Sequence, residues 1–208
     1  MTAVGMAARY SNDPTQAHVT AVKRILRYLS GTRTQGITLG GKSPAKLIIS
    51  SDANFAEDLD DRKSTSGVLA EFNGVLDYIS RKQTVVSLST TEAEINAMAE
   101  GVKMGIHLRT LITDVTGCVP EPTLFLEDNK SAIAIINGRS GSRSRTKHFD
   151  IRVKFVQENL APGVKKFKLT YCPTENMPAD FLTKNLPAGA FHRITQRTLS
   201  GSVEIQQW

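Results

Sequence analysis

The dipeptide Asn73-Gly74 constrains the fold of this chain more than any other pair of residues in it. Asn and Gly tolerate the positive φ angles of a two-residue hairpin turn, so the flanking runs must pair antiparallel. Val68, Ala70 and Phe72 recur at every second position before the turn, and residues 75–80 return after it. An apolar run over residues 46–51 precedes the hairpin and reads as a strand buried on both faces. A helical pattern follows over residues 89–116, with Ser89, Thr90 or Thr91 as its cap. Further apolar or alternating segments give a strand at 123–127, helices at 129–137 and 147–160, a one-sided strand at 165–171 and a helical stretch from Ala179 to Pro187. The order is β-β-β-α-β-α-α-β-α. Three consecutive antiparallel strands followed by β/α alternation predict an α/β chain: a five-stranded mixed sheet flanked by helices.

Residues 1–45 read as an appendage, mainly one helix over 14–29, with Asn12 or Asp13 as cap and Pro14 in the first turn. Val22, Ile25, Leu26 and Leu29 form its apolar stripe, and Lys23, Arg24 and Arg27, with Arg33 beyond its end, a basic side. Gly40-Gly41 and Pro44 mark the boundary to a main domain over 46–187, and 188–208 reads as a C-terminal tail, loose after Leu199. Residues 138–146, rich in Gly, Ser and Arg, read as a flexible basic linker. No run reaches the ~20 apolar residues of a membrane span, and no secretory leader is visible. Cys118 and Cys172 lack metal-ligand spacing, which points to an intracellular, reducing compartment, cytoplasmic or nuclear. The net charge is +6, while the acids concentrate in a few segments, a balance suited to a polyanionic substrate.

Four of those acids stand where chemistry needs them. Asp52 and Asp128 end strand-like runs, each on the same sheet face as apolar residues of its own strand. Asp180 opens a short helix. Thr91-Glu92-Ala93-Glu94 lies in the first turns of the long helix, and helical phase separates its two acids. Glu94, Met98, Gly101, Gly105, Leu108 and Ile112 recur on one small or apolar stripe, so Glu94 faces the sheet; Glu92 lies about 200° round the helix. An inward glutamate requires a cation beside it. Strand Asp, helix Glu, strand Asp, helix Asp is a carboxylate cage for two divalent ions, Mg²⁺ or Mn²⁺ by its all-oxygen donors.

The motifs Ser51-Asp52-Ala53-Asn54-Phe55-Ala56, Arg62-Lys63-Ser64-Thr65-Ser66-Gly67, Ser89-Thr90-Thr91-Glu92-Ala93-Glu94, Asp128-Asn129-Lys130-Ser131-Ala132, Arg145-Thr146-Lys147-His148-Phe149-Asp150 and Ala179-Asp180-Phe181-Leu182-Thr183-Lys184 follow one another in the order seen in copia-type retrotransposon polyproteins. Residues from about 46 to 187 resemble the ribonuclease H domain of those polyproteins. Arg24-Ile25-Leu26-Arg27-Tyr28-Leu29-Ser30-Gly31-Thr32 resembles the end of the reverse transcriptase, its thumb or connection region. The resemblance implies a ribonuclease H-like fold and an endonuclease that cuts the RNA strand of RNA–DNA hybrids with two Mg²⁺ or Mn²⁺ ions on Asp52, Glu94, Asp128 and Asp180. It also implies a working context of reverse transcriptase and the other parts of a Pol polyprotein. Ser87, Ser89, Thr90 and Thr91 would lie near the RNA 2′-hydroxyls. Asn129, Lys130, Arg145, Lys147 and His148 complete the expected substrate contacts.

Two departures bear on activity. Lys130 stands where copia-type sequences commonly carry Gln, which would turn a minor-groove hydrogen bond into a phosphate contact. The stretch Tyr171-Cys172-Pro173-Thr174 offers no counterpart to the mobile histidine of the cellular enzymes. His148 is a substitute in principle, but reads more simply as a helix N-terminal histidine with structural hydrogen bonds. A second reading is therefore a catalytically weak or inactive nucleic-acid-binding remnant. A third, a DNA-directed integrase or transposase core, sits poorly with Asp180, because those enzymes usually end their acidic set with Glu.

Overall fold

The computed structural model describes residues 2–40, 46–58, 60–139 and 147–200. Five strands form one sheet in the order β3-β2-β1-β4-β5, with β1 Ile48–Asn54, β2 Thr65–Glu71, β3 Val75–Lys82, β4 Thr123–Glu127 and β5 Phe167–Tyr171. β1–β2 and β2–β3 pair antiparallel, whereas β4 runs parallel to both β1 and β5. The turn after β2 has Asn73 at φ 51° and Gly74 at φ 125°, the positive values that select these residue types. This is the five-stranded mixed sheet that the element order predicts.

The long helix α3, Thr90–Thr116, lies across one sheet face. Ser89 caps it, its Oγ accepting from Glu92 N at 3.1 Å, and Gly117 ends it in the left-handed region at φ 69°. Ile49, Val68, Ala70, Phe125 and Phe167 from the sheet meet Ile95, Met98, Val102 and Leu108 from α3 in the main core. Two glycines make that approach possible. A Cβ at Gly101 would lie 2.9 Å from the Phe125 ring, and one at Gly105 only 2.6 Å from Phe167. Helix α5, Lys147–Leu160, covers the outer side of α3 through Phe149, Val153, Val156 and Leu160, with the short α4, Lys130–Ile136, beside it.

The opposite face is covered differently. Ile48, Leu126, Cys172, Met177 and Ala179 form a small second cluster under a single 3₁₀ turn, Pro178–Leu182. The helix expected from Ala179 to Pro187 is confined to that turn. A regular helix α6, Ala188–Ser200, follows in the C-terminal tail, where no element was expected, and it ties the N-terminal region down: Leu199 O accepts from Thr38 N at 2.8 Å, and the Phe191 ring meets Tyr28 edge-on. The tail beyond Ser200 and the linker residues 140–146 lie outside the described residues.

The N-terminal region carries two helices rather than one, α1 Thr2–Ala8 and α2 Gln16–Gly31. The start of α2 falls at Thr15, not at Asn12 or Asp13: Thr15 N donates to His18 Nδ1 at 3.0 Å, and His18 stacks on Tyr10. None of α2 is buried, and Val19, Val22, Leu26 and Leu29 remain exposed. No helix among the described residues is long and apolar enough to cross a membrane.

Candidate active site

Four elements converge at one end of the sheet. Asp52 projects from β1 on the face of Ile48, and Asp128 follows the last residue of β4. Asp180 comes from the 3₁₀ turn, and Glu94 from the second turn of α3. Oxygens of Asp52, Asp128 and Asp180 lie within 4.8 Å of one another, and so do oxygens of Glu94, Glu127 and Asp128. Asp128 belongs to both groups, so the four acids read from the sequence form one continuous cluster with Glu127 as a fifth.

The phase argument for α3 holds. Glu94 is 4% exposed and faces the sheet. Glu92 turns back along the helix start, where its Oε2 accepts from Leu88 N at 2.9 Å, a capping role.

The 3₁₀ turn reaches the cluster because of Gly67. This residue sits opposite Asp52 in the β1–β2 register, and a Cβ there would lie 2.6 Å from Thr183 Cγ2 and 2.9 Å from Leu182 Cβ. With no side chain in the way, Thr183 donates its hydroxyl to Asp52 Oδ2. Lys184 Nζ bridges Asp52 Oδ1 and Asp180 Oδ1, each at 2.9 Å. Thr174 donates to Asp128 Oδ2 at 2.7 Å.

The two halves of the cluster differ in charge compensation. On the Asp52–Asp180 side the Lys184 ammonium stands where a cation is needed. Burial opposes its charge, but the two carboxylates outweigh burial and hold it above the usual lysine range. Burial and the Asp52 charge push Asp180 up to about 6, with Lys184 acting in the opposite sense. On the α3 side no basic group among the described residues is hydrogen-bonded to the acids. Glu94 is pushed up to about 11, first by burial and then by the charges of Glu127, Asp52 and Asp128. Glu127, fully buried, is raised well above the carboxylate range by burial, although Asn129 N and Ser51 Oγ donate to it. Glu94 Oε2 is buried with no hydrogen-bond partner among the described residues. An orphaned carboxylate oxygen beside two further carboxylates suits a hard, oxygen-seeking cation, so the donor set fits Mg²⁺ or Mn²⁺.

The expected substrate residues divide. Ser89, Thr90, Lys130, Lys147 and His148 are exposed, and Thr91 and Asn129 half-buried. Asn129 caps α4 through a 2.9 Å bond to Ala132 N, and Lys130 lies over the Tyr171 ring at 4.9 Å. Ser87 is turned inward. It is 3% exposed and donates to Gln83 Oε1 while accepting from Asn96 Nδ2, so its hydroxyl is engaged inside the protein rather than at a substrate surface. Arg145 lies outside the described residues.

Glu127, Lys184, Thr183 and Gly67 had no role in the sequence reading. The last three fall inside the motifs that carry the resemblance, which was the available signal. For Glu127 the signal was strand alternation, which aims it at the α3 face with Phe125.

No family model matches the chain. Over 190 residues, 91% of its length, it is 37% identical to the retrovirus-related Pol polyprotein from transposon TNT 1-94 of Nicotiana tabacum, of which it spans 14%. Over 107 residues, 51% of its length, it is 41% identical to secreted RxLR effector protein 161 of Plasmopara viticola, of which it spans 75%. LC11-RNase H1 in complex with an RNA/DNA hybrid aligns with a TM-score of 0.47 at 16% identity, over 66% of this chain and 94% of that one. The chain belongs to the family of retrovirus-related Pol polyproteins of copia-type transposons, a small part of whose length it spans.

Proposed function

We propose that this chain is a metal-dependent endonuclease hydrolysing the RNA strand of RNA–DNA hybrids during retrotransposon reverse transcription. The observation that carries this reading is the convergence of Asp52, Glu94, Asp128 and Asp180, from four separate elements, on one cluster with Asp128 at its centre. Two Mg²⁺ or Mn²⁺ ions, when bound there, would supply an activated water and stabilise the departing 3′-oxygen. The protein's own part is to hold the acids in register. Thr183 orients Asp52, Thr174 orients Asp128, and Lys184 bridges Asp52 and Asp180 and offsets part of their repulsion. Ser89, Thr90 and Thr91, at the exposed start of α3, would meet the RNA 2′-hydroxyls; Asn129, Lys130, Lys147 and His148 would contact the backbone. Residues 1–45 would be the end of the reverse transcriptase, and the partners the rest of a Pol polyprotein, in an intracellular particle or the nucleus. Incubating the chain with a strand-labelled hybrid and Mg²⁺, with Asp52→Asn as control, tests the reading; equal cleavage by both proteins, or by neither, refutes it.

One observation favours the second reading, a binding remnant without useful catalysis. Lys184 already bridges two of the four acids and offsets one of their charges. Salt-dependent binding of the hybrid without cleavage is its signature.

A further inference from the structure

We propose that Glu127 is a fifth carboxylate of the site, forming with Glu94 and Asp128 a divalent-cation position on the α3 side of β4. The inference rests on the reading of the cluster as a metal centre and adds a ligand that the family motif, which begins at Asp128, does not supply.

Glu127 is the last residue of β4 and is fully buried. Its carboxylate is fixed from two sides: Oε2 accepts from Ser51 Oγ at 2.9 Å, and Oε1 from Asn129 N at 3.1 Å. Those donors are the immediate neighbours of Asp52 and Asp128, so Glu127 also joins the two strand ends that carry the aspartates. One hydrogen bond on each oxygen leaves each a further lone pair. Oxygens of Glu94, Glu127 and Asp128 lie within 4.8 Å of one another, close enough to share one ion. The independent sign of a missing partner is Glu94 Oε2, which is buried with no hydrogen bond among the described residues. Lys184 does not serve this side, because its ammonium is bound to Asp52 and Asp180. Packed carboxylates without a cation repel one another. A cation on this side relieves the repulsion and satisfies the orphaned oxygen together.

Glu127→Gln separates a ligand from a spacer. The amide keeps the shape and can still accept from Asn129 N, but it removes the charge. Mn²⁺ binding to the whole chain, read by calorimetry and by the paramagnetic resonance of free Mn²⁺, is expected to weaken about 10- to 100-fold in Glu127→Gln. Affinity equal to that of the unaltered protein overturns the proposal while leaving the metal centre standing. Failure of the unaltered chain to bind Mn²⁺ removes the metal-centre reading and the proposal with it. Should the variant not fold, crystals of the unaltered chain grown with Mn²⁺ decide. An anomalous peak within about 2.5 Å of a Glu127 oxygen supports the assignment, and peaks confined to the other four acids overturn it.

Discussion

The metal-free protein should lose stability as pH rises through neutrality. In the folded chain Glu94 is pushed up to about 11 from an ordinary 4.5, so it holds a proton that the unfolded chain releases above about pH 5. The stabilisation from a raised carboxyl is complete below the unfolded value and drains as pH climbs towards the folded one. One such proton corresponds to about 1.4 kcal/mol per pH unit, hence about 2.7 kcal/mol between pH 6 and pH 8. Glu127 and Glu71, both raised by burial, act in the same direction. Asp180, pushed up to about 6, is half titrated at pH 6 and adds only about 0.4 kcal/mol in the same direction, mostly below pH 7, while Lys184 and Cys172 change chiefly above pH 8. Against a total of ~5–15 kcal/mol for a domain, the loss is large enough to measure. Urea unfolding in a chelator, followed by circular dichroism at pH 6, 7 and 8, reads it directly. Saturating Mg²⁺ should flatten the slope, because binding that expels one proton tightens tenfold per pH unit and offsets the loss. Glu94→Gln should remove about one proton's worth of slope in the chelator. A flat profile for the metal-free protein, or an undiminished slope in Glu94→Gln, refutes the assignment of a buried, proton-holding acid at this position.

Replacement of Glu94 by Gln, or of Asp52, Asp128 or Asp180 by Asn, should lower hybrid cleavage more than about 100-fold, measured with a strand-labelled substrate. Lys184→Met should destabilise the metal-free protein by about 2 kcal/mol through loss of two charge-assisted bonds, while Mn²⁺ affinity, read by calorimetry, rises as the competing ammonium goes. In an open helix Gly105→Ala would stabilise by ~1 kcal/mol. Here the added methyl group meets the Phe167 ring at 2.6 Å, and a net loss of about 1–2 kcal/mol is expected in urea unfolding. Lys130→Ala should reduce the salt dependence of hybrid binding by about one charge, seen as a shallower slope of log affinity against log salt.

What the sequence revealed of this molecule follows from where its physical signals are local. The hairpin at Asn73-Gly74, the strand alternation and the glycine-marked stripe of α3 are short-range patterns, and each element that depends on them formed with its ends moved by a few residues at most. Helical phase sufficed to choose Glu94 over Glu92, because burial along one helix is set by its own period. Partners supplied by tertiary contact were invisible. Lys184 meets Asp52 across 132 positions, and a bridging lysine has the same composition as a solvated one. Glu127 hid behind its neighbour: beside Asp128 it read as the polar end of a strand, and only the β1–β4 pairing brings Ser51 against it. Helix α6 was missed because a segment following Pro187 looked like an exit from the fold, whereas residues 188–200 find a surface on the N-terminal region. These omissions alter the electrostatic argument. A cage of four ionised acids containing Lys184 carries three uncompensated negative charges, one more than a single divalent ion neutralises. With Glu127 counted, five carboxylates face one ammonium, and full ionisation leaves four uncompensated negative charges, the charge of two divalent ions. The residue that the motifs did not mark is therefore the one that brings the charge balance of the site to the two-ion stoichiometry that the proposed hydrolysis requires.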